Sequence, residues 1–344
     1  MLLKYLTHPS LVFFVLPWIM ALLVAGTVVQ PAMGIYQAQK FFFEGFVFWL
    51  GPVPLPGMFS LLVLLATSLS AKILFTSTFS WPHSGTWLIH AGALLLLVGG
   101  LVTSLTQQEG SMLLAPEETK NIFDDYYDKE LVINKNGDDV VRIAFARAAA
   151  MKGDDFRALV PFDMSVTKAC HNCDVVQDQN NTVRLVARPH EKDAEKNLAG
   201  VQLRVQGRDM LVVQGMPAHV SAYQHGDDIY HVSIHRKKHA LPFSIRLLSF
   251  SPSFHPGTHV AREYASVIEV ADGALTWQTA IRMNEPLRYK GYTVYQASFV
   301  EGDGPSSSVL TIVKNEGRVL PYVATGVMLI GFVLHLWMRR RGRA

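Results

Sequence analysis

The sequence predicts a membrane α-helical protein of four transmembrane helices, with an all-β or β-rich domain inserted between helices 3 and 4. Three observations carry this expectation. Four long apolar runs interrupt the chain, three of them before residue 106 and the last just ahead of Arg339, Arg340 and Arg341. Hydrophobic residues make up 49% of the chain, high for a soluble protein. Between the third and fourth runs the pattern changes to short alternating stretches broken by Gly-containing turns.

A helix needs roughly 20 apolar residues to cross a bilayer. The N-terminal membrane part, 1–105, holds three such runs, at 11–29, 58–75 and 85–105. The first is too long for the apolar core of a cleaved signal, and no small-x-small site follows it. The second reaches Phe75 only if Lys72 extends toward the interface. The fourth run, 320–338, lies within 318–344 and leads into a basic tail. The arginines place the C-terminus in the cytoplasm, and an even number of spans places the N-terminus, with Lys4, on the same side. The loop 30–57 and the segment 106–317 then face the other way. Within the first loop, 35–50 carries Phe41, Phe42, Phe43, Phe46, Phe48 and Trp49 and reads as a short amphipathic interfacial helix, ended by Pro52, Pro54 and Pro56.

The segment 106–317 holds 23 basic and 27 acidic residues, so the basic balance of the whole chain reports membrane topology. No basic patch with interleaved aromatics suggests nucleic acid. Ten short runs, from Glu130–Asn134 to Val309–Val313, read as strands of a sandwich or a curved open sheet. The polar stretch 188–199 reads as a loop or short helix. The segment lacks G-x-S-x-G, H-E-x-x-H and a phosphate-binding glycine loop.

His90 lies inside the third apolar run, where an ionisable group is costly and needs a partner. It reads either as a haem ligand or as a donor to a neighbouring helix. His335 lies at a comparable depth in the fourth run, near the same face, with the same alternatives. His8 and His83 read as interfacial. Cys170 and Cys173 form C-x-x-C without the following histidine of a haem attachment motif, since residue 174 is Asp. In an oxidising compartment the pair reads first as a local disulfide, with dithiol exchange or metal binding as alternatives. Nine further histidines, at 171, 190, 219, 225, 231, 235, 239, 255 and 259, read as scattered surface residues, with His231 and His235 sharing a strand face.

Several motifs together resemble the ResB family of cytochrome c biogenesis proteins, also called CcsB. The first run ends in Gly26-Thr27-Val28-Val29-Gln30, similar to the family's G-T-x-x-Q, and Trp87–Gly92 resembles its histidine-bearing helix. Glu109-Gly110, Asp124–Leu131, Leu241–Ile245 and His255–Thr258 follow the family texture. The stretch Ile281–Phe299 resembles the signature N-x-P-L, Y-x-G-Y, Y-Q-x-S.

The resemblance implies a multi-pass protein of the bacterial inner membrane with a periplasmic domain. It implies a component of the system II complex that exports haem and attaches it to apocytochrome c, working with a ResC/CcsA-type partner. The cargo is haem b, and His90 maps onto the family's membrane histidine, with His335 as a second candidate contact. The chain has no tryptophan-rich haem-handling segment, so at most it is one subunit of a cytochrome c haem lyase. Two rival expectations stand beside this one. In the first the chain is a scaffold that never touches haem. In the second it is a periplasmic thiol–disulfide protein using Cys170 and Cys173.

Overall fold

A computed structural model of the chain describes residues 2–76, 80–177, 183–217, 221–258, 261–301 and 306–341. The chain divides into two compact units: Met1–Gln107 with Lys314–Ala344, and Gln108–Val313.

The first unit contains four helices long and apolar enough to cross a membrane: Ser10–Met33, Met58–Thr76, Trp81–Thr106 and Leu320–Arg341. Their apolar side chains stay largely exposed, among them Phe13, Phe14, Val28, Leu74 and Tyr322. In water such surfaces would drive aggregation; in lipid they are the expected exterior. This is a membrane protein. The first helix passes through Pro17 and Pro31 and stops at Gly34, whose φ of 85° suits glycine and whose N–H donates to the carbonyl of Gln30 at 2.8 Å. The second helix is α-helical over Met58–Ala71 and widens to a π-helix over Lys72–Thr76.

The loop between these helices corrects one expectation. Only Ile35–Ala38 and the π-helical Gln39–Glu44 are helical. Val47–Leu50 and Val53–Pro56 form an antiparallel hairpin, with Trp49 opposite Pro54 and Val47 opposite Pro56. The prolines do not end a helix: Pro52 lies in the turn, and Pro54 and Pro56 occupy a strand of a two-stranded ribbon, where a missing N–H disturbs no inner ladder. Phe48 of this hairpin and Phe42 of the π-helix are buried, and the Trp18 indole donates to the Pro56 carbonyl at 3.0 Å. Gly26, within the G-T-x-x-Q stretch, leaves room for the Phe43 ring, which a Cβ there would meet at 2.5 Å.

The second unit is built on a ten-stranded sheet. Its main path runs Leu275–Arg282, Ala261–Asp272, Asp228–Phe254, Thr119–Lys135, Gln108–Leu114, Ser307–Lys314, Tyr292–Val300 and Leu287–Tyr289. The long strands Thr119–Lys135 and Asp228–Phe254 bend at register shifts between Arg236 and Lys238 and between Ala240 and Ile245. The bends let one sheet serve two cores. One core gathers Phe123, Phe243, Ile245, Leu247, Ile268, Ile281, Val294 and Ile312. The other packs Leu131, Ile133 and Ile234 against Phe156, Met164 and Leu203, which bring in the three-stranded sheet of Arg208–Val213, Gly200–Val205 and Met164–Cys170. The polar stretch after Ala187 is loop with one short 3-10 turn, Ala194–Lys196. Two cations hold it: the Lys129 ammonium donates to the Asn197 carbonyl and the Arg236 guanidinium to the Glu195 carbonyl. Burial, with the nearby charge of Arg236, pushes the Lys129 pKa down to about 8.

Candidate functional site: a membrane histidine beside a glycine seam

The third and fourth long helices run antiparallel and pack along small residues. Gly85, Gly92 and Gly99 recur every seventh position on one, and Gly317, Ala324 and Gly331 do so at and within the other. Ala324 is fully buried. A Cβ added at Gly85 would come within 2.4 Å of the His335 backbone nitrogen, and one at Gly331 within 2.8 Å of the Gly85 carbonyl oxygen. A seven-residue period on straight helices drifts slowly, so both seams stay in register only with a left-handed wrap. Close backbone approach through small residues is how helices associate where lipid removes the hydrophobic drive.

The seam fixes the two membrane histidines in different places. His335 lies on it, and its Nδ1 is 3.1 Å from the Thr86 hydroxyl. His90 is two residues from Gly92, hence roughly 160° around the helix from the seam. The structure therefore does not bring His90 and His335 together: they occupy different sides of the third helix. His90 is partly buried and makes no hydrogen bond among the described residues. Lys72 lies at the end of the second helix, which packs against the third. His8 and His83 are exposed, and serines engage their rings, Ser10 at 2.6 Å and Ser80 at 2.8 Å.

In the strand-rich unit, Cys170 and Cys173 are joined by a disulfide and are only 9% and 5% exposed. Leu185, Val213 and Met216 cover them. Burial of both sulfurs argues against exchange with a protein substrate, since the attacking thiolate needs access. We expect the Cys170→Ser/Cys173→Ser double variant to lose roughly 2 kcal/mol of stability by closure of a short loop. Cytochrome c yield, measured by haem staining, should stay normal; a yield collapse in a variant that still folds would restore the thiol reading.

Among the described residues, the histidines of this unit do not converge on one site. Among the described residues no three His, Cys, Asp or Glu side chains are placed to hold a metal ion. His171 and His190 approach with ring centroids 6.3 Å apart. His231 and His235 do lie on one strand, opposite Asn134 and Glu130. His219 and His259 lie outside the described residues. The exception to surface scatter is His239, which is nearly buried. Its Nε2 is 2.9 Å from Asp125 Oδ2, and the Phe123 ring stacks on it. Sequence reading missed this pair because its members are far apart in the chain.

A family model, the ResB-like family, matches residues 73–307, more than half of the chain. The chain belongs to the ResB-like family. Membership gives this ResB-like protein a role in cytochrome c biogenesis. No curated protein matches the chain. The family's signature stretch turns out to be structural here. The Tyr289 hydroxyl donates to Asp272 Oδ2 at 2.7 Å, and its ring packs on Trp277 and Phe243. Tyr292 is buried against Phe243. Gln296 closes a buried polar network with Ser266 and Ser308, at 2.6 to 3.3 Å, in which every side-chain group is satisfied.

Proposed function

We propose that this ResB-like protein is one half of a haem-export and cytochrome c haem-attachment complex in the bacterial inner membrane. Its termini are cytoplasmic and its strand-rich unit, inserted between the third and fourth spans, is periplasmic, as the Arg339–Arg341 cluster favours. The partner is a ResC/CcsA-type membrane protein, and the periplasmic unit holds apocytochrome c near delivered haem. Haem b is cargo rather than a resident cofactor.

The observation that carries this reading is the state of His90. His90 finds no hydrogen-bond partner among the described residues, which is costly for an imidazole in a membrane helix, and neutral imidazole is a good ligand for haem iron. The seam explains why this side chain is presented: the third helix turns its glycines to the fourth and leaves His90 on its other side. When bound, haem supplies the vinyl groups that react with apocytochrome thiols. What this chain contributes is capture and positioning, which raise the effective concentration of the reacting groups.

The test is the His90→Ala variant, purified with its partner, with haem measured by absorption spectrum and pyridine haemochrome. Haem content should fall at least tenfold while the two subunits still co-purify. Unchanged haem occupancy would reduce the chain to a scaffold.

A further inference from the structure

Lys72 is partly buried in the second helix, and among the described residues its side chain makes no ion pair or hydrogen bond. A lysine this close to a helix end extends toward the headgroup region, where an anion within reach of its ammonium would pair with it. The membrane unit contains only two carboxylate side chains, Glu44 and Glu316, and neither pairs with Lys72 among the described residues. Glu316 pairs with Lys314 at 3.2 Å, and Glu44 ends the π-helix that opens the loop before the second span. A lysine so placed is open to an anion from outside the chain.

The position of Lys72 says which anion fits. The second helix ends at Thr76 and the third begins at Trp81, so the two form an antiparallel hairpin. Lys72 stands four residues from that end of its helix and His90 nine residues from it. The offset of five residues corresponds to about 7 Å along the bilayer normal, with Lys72 nearer the surface. An imidazole therefore lies deeper, and an ammonium lies on the neighbouring helix toward the water. Haem has the same polarity, with iron at the centre of an apolar macrocycle and two carboxylates along one edge.

We propose that Lys72 and His90 form a two-point site for haem, the imidazole addressing the iron and the ammonium pairing with a propionate carboxylate. The inference rests on the reading of His90 given above and adds orientation to it: the propionate edge faces the membrane surface at which the 76–81 connection lies. A charge-assisted contact in a partly dehydrated setting makes the site selective for free-acid porphyrins over esterified ones.

The test uses the full-length chain in lipid nanodiscs, titrated with haem and, separately, with haem dimethyl ester, and followed by absorption. Lys72→Met should weaken haem binding about tenfold, equivalent to about 1.4 kcal/mol, and leave the ester unaffected. Lys72→Arg should bind haem as the parent chain does. His90→Ala should weaken both porphyrins. Equal losses for haem and ester in Lys72→Met, or no loss for haem, overturn the propionate pairing; the second result would mean that a lipid phosphate occupies the lysine. Unchanged binding of both porphyrins to His90→Ala removes the underlying reading and this inference with it.

Discussion

Replacing Gly331 with leucine should force the third and fourth helices apart. The first atom of the new side chain would lie 2.8 Å from the Gly85 carbonyl oxygen, the Ile89 nitrogen and the Leu88 Cβ. Two of these are backbone atoms of a regular helix, so neither can yield locally. Overpacking of a tight core costs about 1–3 kcal/mol and sometimes more. Here separation also breaks the Thr86–His335 contact, so about 3 kcal/mol is expected. The control is built into the same helix. Gly326 has nothing within 4 Å of an added Cβ, and Gly326→Leu should be nearly neutral or mildly stabilising. Thermal unfolding of the two purified variants in detergent compares them directly. Equal loss in both would show that the seam does not hold the pair.

The second large effect belongs to Asp125→Ala. The carboxylate does three things at once. One oxygen faces His239 Nε2 at 2.9 Å, and the other accepts the backbone N–H groups of Tyr127 and Asp128 at 2.9 and 2.8 Å. These bonds sit beside the bend between Arg236 and Lys238, where the two long strands lose regular pairing. Alanine would leave a nearly buried imidazole without its partner and two backbone donors without their acceptor. Breaking a buried pair from one side costs about 3–5 kcal/mol, because the group left behind is desolvated and unsatisfied. Asp125→Asn keeps an acceptor oxygen and should cost clearly less. Adding His239→Phe to Asp125→Ala should recover part of the loss, since the stranded imidazole is gone and Phe123 retains an aromatic neighbour. Urea unfolding of the full-length variants would measure this, and a loss below about 1 kcal/mol for Asp125→Ala would sink the argument.

What could be read before the structure was mostly periodic. The four long helices show as apolar runs, and the strand-rich region shows as alternation broken by turns such as Asn136-Gly137 and Asp272-Gly273, whose glycines adopt positive φ. His90 could be picked out because an imidazole in an apolar run is anomalous by itself. The hairpin at Val47–Pro56 was hidden by its own composition, since alternate prolines argue against strands unless the ribbon has only two. The seam left a signal, small residues every seventh position, but its meaning required pairing Gly85 with Gly331 across the whole strand-rich segment. The separation of His90 from His335 followed from that pairing, so it was equally out of reach. Tyr289, Tyr292 and Gln296 stood out as a motif, yet only their contacts show that they build a core rather than touch a substrate.

The seam also sets an order of events during biogenesis. Gly85, Gly92 and Gly99 leave the ribosome long before Gly317, Ala324 and Gly331. At roughly 5–20 residues per second, the interval is on the order of ten seconds or more. For that time the third helix has its glycine ridge open to lipid or to a chaperone. The Thr103 hydroxyl donates to Asn315 Oδ1 at 3.1 Å, so the points where the chain leaves and re-enters the membrane unit lie side by side once the ridge closes. Zipping of the last helix thus works as a final latch, available only once the whole intervening segment has been synthesised.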